Sequence, residues 1–130
     1  MGHMLIFGLG YAAGHLAERL TARGWNVTGT TQDGRGGSIA FGDSAAVHAA
    51  LRSATHILSS VPPVDGVDPV LARYGEAIAL SSSIWTGYLS STGVYGDTGG
   101  AWVDESAPIK GRRADRNAAD AAWRDLRGGP

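Results

Sequence analysis

Cysteine is absent from this sequence, and with it go disulfides, thiolate metal sites and thiol nucleophiles. No apolar run approaches the roughly 20 residues that a helix needs to cross a bilayer. Neither sign of charge prevails: 11 Lys and Arg stand against 12 Asp and Glu, a formal net charge of -1. No global field therefore draws in nucleic acid or an anionic membrane surface. His3, His15, His48 and His56 lack the spacing of a metal motif and have no partnering acid, so no metal site is expected. Trp25, Trp85, Trp102 and Trp123 are not interleaved with a basic stripe and read as packing residues, which again argues against nucleic acid. The first apolar run starts at Met4, leaving no room for a signal peptide, so a soluble cytoplasmic protein is expected. Met1, Gly2 and His3 read as a cloning scar or a natural start and are set aside from the fold.

What is present is an alternation of short β-branched or aromatic runs with longer segments of helical period, the pattern of a parallel α/β protein. At 130 residues, one domain spanning 1–130 is expected. Strands are predicted over Leu5–Phe7, Asn26–Thr31, Ser38–Phe41, His56–Val61 and Ile84–Ser90. The first helix runs from about Tyr11 to Arg23 and is stopped by Gly24. The second is capped by Asp43 or Ser44 and turns Val47, Ala50 and Leu51 inward. Asp68 followed by Pro69 is a helix start, an N-cap with proline at the first helical position, and Leu71, Tyr74 and Ile78 form its buried face. A last helix covers about Arg112 to Leu126, with Ala119, Trp123 and Leu126 aligned. Right-handed crossovers then order the strands 3-2-1-4-5, a Rossmann-type doubly wound sheet.

Gly8-Leu9-Gly10-Tyr11-Ala12-Ala13 matches G-x-G-x-x-A directly after an apolar strand and at the opening of a periodic helix. Gly8 permits the tight turn, Gly10 lets a pyrophosphate approach the backbone, and Ala13 is small enough for the helix to pack on the sheet. The amides of Tyr11 and Ala12 would then meet the phosphate charge at the helix N-terminus. The competing reading is a tight strand-to-helix turn without ligand. The second strand ends Thr30-Thr31-Gln32, with no carboxylate at its tip to hold an adenosine ribose. Hydroxyls of Thr30 and Thr31 with the nearby Arg35 suit a 2′-phosphate, which favours NADP over NAD; Asp33 keeps NAD open. Ser60 and Pro62, at the end of the fourth strand, are expected to flank the nicotinamide half.

The run Ser90, Ser91, Val94, Tyr95, Gly96 follows the pattern S-S-x-x-V-Y-G. On these residues the chain resembles the extended and atypical short-chain dehydrogenase/reductase superfamily, the NAD(P)-dependent epimerase/dehydratase proteins. The resemblance implies redox chemistry on a nucleotide-sugar or similar small molecule. It implies that Ser91 polarises a substrate oxygen; the alternative is a satisfied hydroxyl at a strand end. Tyr95 is a catalytic phenol or, more in keeping with the family, a structural or substrate-lining residue. The family's catalytic tyrosine belongs to Y-x-x-x-K on the next helix, where this chain has Arg112 and Arg116. A guanidinium stays protonated and cannot shuttle a proton, although Arg116 could hold ribose hydroxyls or a phosphate. The rival reading is therefore a catalytically inactive dinucleotide-binding module, a sensor or a truncated remnant. The resemblance also implies a longer protein, so the C-terminal half is expected to be lacking. The fifth strand would then be a sheet edge, and a homodimer or higher assembly is expected to hide it.

Overall fold

Alternation along the first strand sends Met4 and Ile6 to one face of a sheet and Leu5 and Phe7 to the other, and all four are buried. A strand buried on both faces is the mark of a parallel sheet covered by helices on either side. The computed structural model of this chain describes residues 2–89 and 114–126, the side chains of 114–117 and 120 excepted. Within it β1 (His3–Phe7), β2 (Asn26–Thr31), β3 (Ile39–Ala40), β4 (His56–Ser59) and β5 (Trp85–Tyr88) pair in parallel in the order β3-β2-β1-β4-β5. The helices are α1 (Tyr11–Ala22), α2 (Ser44–Ser53), α3 (Pro69–Leu80) and α4 (Ala114–Asp125). This is the Rossmann-type sheet and strand order expected from the sequence.

Two apolar layers hold it. On one face Leu5, Phe7 and Ile57 pack with Val47, Ala50 and Leu51 of α2, Val70, Tyr74 and Ile78 of α3, and Trp123 of α4. On the other face Met4, Ile6 and Leu58 meet Ala13, with Leu16, Ala17 and Leu20 of α1 around them. Each large side chain buried in this way contributes about 1.5–3 kcal/mol of transfer free energy.

Local chemistry ends the elements where the sequence says it should. After α1, Gly24 takes φ 89°, its N–H donates to the Thr21 carbonyl, and the Trp25 N–H donates to Leu20, each at 3.0 Å. That is a Schellman stop with its glycine just beyond the cap. Asp43 caps α2 by accepting the Ala46 amide at 3.2 Å. Asp68 caps α3, its Oδ1 accepting from Val70 at 2.9 Å and Leu71 at 3.0 Å, with Pro69 following.

Four expectations need correction. β1 begins at His3, inside the segment set aside: His3 pairs with Asn26, its N–H donates to Thr55 Oγ1, and its ring bonds Ser53 and Thr28. β3 shrinks to two residues, the Ser38 N–H being turned back onto the Arg35 carbonyl at 3.2 Å, and β4 and β5 are also shorter than predicted. In α3 the fully buried residue of the first turn is Val70, with Leu71 only partly covered. Trp85 is only partly packed: its ring lies over Gly87 and 6.0 Å from that of His56, but 45% of it is exposed.

Candidate functional site

All strands run the same way, so the segments after Phe7, Thr31 and Ser59 emerge along one edge of the sheet. From β1 the chain proceeds to β2 and β3 on one side, and β4 and β5 lie on the other. The crevice opened by that reversal is where ligands of doubly wound sheets bind. Gly8, Leu9 and Gly10 turn within it.

Gly8 takes φ 89°, which a side chain would strain. A Cβ there would also meet Ser60 Oγ at 2.8 Å and Val61 Cγ2 at 3.0 Å. Gly10 differs. Its backbone is extended (φ -83°, ψ -164°), and a Cβ on it would meet nothing within 4 Å. The first glycine is needed by the fold; the second faces open space at the mouth of α1.

Gly10 is the N-cap of α1, yet no side chain caps the helix and its first turn carries no acid. The loop amides before it are already committed: Gly8 N–H to Thr30 Oγ1 (3.1 Å), Leu9 N–H to the Thr30 carbonyl (3.0 Å) and Gly10 N–H to the Gly8 carbonyl (3.0 Å). The first-turn amides of Tyr11, Ala12 and Ala13 are thus left pointing out of the helix end, where the macrodipole favours an anion. A bare Gly10, an uncapped turn and no competing carboxylate together fit a pyrophosphate. Ala13 is 1% exposed and lets α1 lie close on Ile6, as the third position of the motif demands. Tyr11 is 87% exposed at the rim, edge-on to His15 with ring centres 4.6 Å apart.

The hydroxyls predicted to face a 2′-phosphate or the nicotinamide are occupied within the protein. Thr30 is 1% exposed and serves Gly8 from behind. Thr31 Oγ1 accepts the Gly34 amide at 2.9 Å and bonds Ser38 Oγ at 2.7 Å, and Ser38 in turn donates to the Arg35 carbonyl at 2.6 Å. This chain of hydroxyls fixes the base of the loop between β2 and β3. At its tip Arg35, 77% exposed, pairs with Asp33 at 3.2 Å. Ser60 Oγ donates to the Gly8 carbonyl at 2.5 Å, and Pro62 is exposed beyond it. Further along, Val64 and Val67 exchange two backbone bonds across Asp65 and Gly66, both at positive φ, as a two-residue hairpin turn requires.

Sequence reasoning missed Gly29. A Cβ on this β2 residue would collide with the Leu9 side chain, so the glycine makes the seat into which the turn residue packs. A glycine inside a strand was the available signal. Arg116 lies in α4; Ser91, Tyr95 and Arg112 fall outside the described residues. Among the described residues no three metal-ligating side chains gather, and no helix is long and apolar enough to cross a membrane.

No protein-family model and no curated protein matches this chain. Solved structures do. A functionally unknown conserved protein from Silicibacter pomeroyi is 35% identical, with a TM-score of 0.76 over 100% of this chain and 51% of its own. A short-chain dehydrogenase/reductase superfamily protein from Agrobacterium tumefaciens, solved with bound NAD, is 17% identical at a TM-score of 0.68, over 95% of this chain and 43% of that one. UDP-glucose 4-epimerase from Thermus thermophilus, solved with NAD, is 21% identical at a TM-score of 0.60, over 93% and 48%. The latter two likenesses are of fold. The chain spans about half the length of each of these structures.

Proposed function

We propose that this chain is an NAD(P)-binding member of the epimerase/dehydratase group, receiving the pyrophosphate of the dinucleotide on the amides of Tyr11 and Ala12. The observation that carries the reading is the uncapped, acid-free N-terminus of α1, reached through a Gly10 with open space over its α-carbon. Two structures of the same fold hold NAD, which supports a nicotinamide dinucleotide as the ligand. Calorimetric titration with NADH and NADPH tests it, and failure to bind either would end the reading.

Arg35 is the one described cation on the loop after β2, and NADP is our preferred cofactor. Releasing Arg35 from an exposed pair with Asp33 costs well under about 1 kcal/mol, against a doubly charged 2′-phosphate gained. The compartment this reading assumes is the cytoplasm, where free dinucleotide is found. Self-association as a homodimer or higher assembly would cover β5, which ends the described sheet beside the exposed Ile84 and Trp85. Sedimentation at micromolar concentration checks that, a monomer being the contrary result.

For the whole protein we propose oxidoreductase chemistry on a nucleotide-sugar or similar small molecule, with Ser91 and Tyr95 at the substrate and Arg116 on the cofactor. The group's proton-shuttling Y-x-x-x-K has no counterpart in this sequence, where Arg112 and Arg116 stand instead. That observation favours a second reading, a dinucleotide-binding module without catalysis. Single-turnover hydride transfer from bound NADPH to a panel of nucleotide-sugar ketones separates the two.

A further inference from the structure

We infer that Thr30 and Ser60 are positioning residues for the nucleotide, acting through the single residue Gly8 and without touching the ligand; the inference rests on the dinucleotide-binding reading above. Glycine at φ 89° is required at this turn, but glycine is also the residue least able to hold one backbone conformation by itself. Something else must fix the two peptides that meet at Gly8, Phe7–Gly8 and Gly8–Leu9, because their directions set where Gly10 and the first amides of α1 point.

Two hydroxyls, one on β2 and one just beyond the end of β4, supply the constraint. From β2, Thr30 Oγ1 accepts the Gly8 N–H at 3.1 Å, and the carbonyl of the same residue accepts the Leu9 N–H at 3.0 Å. From the position just after β4, Ser60 Oγ donates to the Gly8 carbonyl at 2.5 Å, with the Phe7 carbonyl at 3.4 Å. The same Gly8 carbonyl accepts from Gly10, so a flip of the Gly8–Leu9 peptide would break three bonds together, while the Thr30 hydroxyl holds the Phe7–Gly8 peptide on the other side of the residue. Held this way, the Gly8 carbonyl is kept on donors inside the protein and away from an incoming phosphate, which it would repel. Ser60 can come this close only because Gly8 has no side chain, since a Cβ would lie 2.8 Å from its hydroxyl. The glycine and the serine are therefore complementary parts of one device.

The test is calorimetric binding of NADH and NADPH to the full chain and to Ser60→Ala, Thr30→Val and Thr30→Ser, with thermal melting on the same samples. Ser53→Ala serves as the comparison, since it removes a hydroxyl that bonds His3 and the Ala50 carbonyl at the opposite end of the sheet. Loss of one such bond at the turn should weaken binding about five- to tenfold in Ser60→Ala and in Thr30→Val. Thr30→Ser should restore binding, and Ser53→Ala should bind as the parent does. Because both hydroxyls act on one residue, the double variant should lose less than the product of the single losses. Parent-like affinity in folded Ser60→Ala and Thr30→Val overturns the inference while leaving nucleotide binding standing. A parent chain that binds neither nucleotide overturns the binding reading and this inference with it.

Discussion

The Trp123 indole N–H donates to the Asp68 carboxylate at 2.8 Å, joining α4 to the start of α3 across 55 positions of sequence. The other carboxylate oxygen caps α3, and the Trp123 ring stacks on Tyr88 with centres 5.7 Å apart and planes 8° from parallel. One buried aspartate thus does two jobs. Asp68→Ala should lose the cap and strand the indole N–H, at a cost of about 2–4 kcal/mol. Asp68→Asn keeps one acceptor and should lose about 1 kcal/mol, while Trp123→Phe leaves a buried carboxylate oxygen unpaired and should lose about 1.5–3 kcal/mol. Urea unfolding measures all three, and equal losses for the two Asp68 variants would refute the double role.

Gly8 and Gly10 should separate folding from binding. Gly8→Ala meets both a positive φ and two close atoms, so it should destabilise the chain by about 1–3 kcal/mol. Gly10→Val adds atoms to open space at an extended residue, where poorer capping costs less than about 1 kcal/mol. The same atoms would occupy the approach of the pyrophosphate, and NADPH affinity should fall beyond detection. A Gly10→Val chain that melts like the parent and still binds would rule out this loop as the site.

Cofactor choice should turn on Arg35 and Asp33. Removing a charge-assisted contact to the 2′-phosphate costs about 1.5–3 kcal/mol, or roughly ten- to a hundredfold in affinity. Arg35→Ala is expected to weaken NADPH by that much and leave NADH unchanged. Asp33→Asn frees the guanidinium and should strengthen NADPH. Equal loss of both nucleotides in Arg35→Ala would point to a structural role for the loop instead.

Motifs with a local cause were legible in the sequence. A short continuous apolar run located β1, Asp68 with Pro69 located α3, Gly24 stopped α1, and β2 ran from Asn26 to Thr31 as predicted. The glycine loop announced itself because its spacing follows from one turn and one helix start. What stayed hidden was direction. A threonine at a strand tip reads the same whether its hydroxyl faces ligand or backbone, and only the fold shows Thr30 and Ser60 turned toward Gly8. His3 was unreadable for another reason: its place in β1 depends on distant partners, from Asn26 in β2 to Thr55 before β4.

Gly29 offers the sharpest contrast between local preference and tertiary demand. In a strand interior, alanine ordinarily beats glycine by about 0.5–1 kcal/mol, because glycine loses more freedom on folding. At Gly29 the sign should reverse, since the added Cβ would occupy the seat of the Leu9 side chain. Leu9 packs there against the layer of Met4, Ile6 and Leu58, and its amide is tied to the Thr30 carbonyl. Forcing it out should cost about 1–3 kcal/mol and tilt the loop whose amides are proposed to hold the nucleotide. Gly29→Ala is therefore expected to lose both stability and NADPH affinity. Combining it with Leu9→Ala removes the collision, so the pair should lose less than the sum of the singles, by about 0.5–2 kcal/mol in a double-mutant cycle. If Gly29→Ala instead stabilises the chain, the Leu9 side chain does not sit on β2, and the turn is held by its hydrogen bonds to Thr30 and Ser60 without that packing.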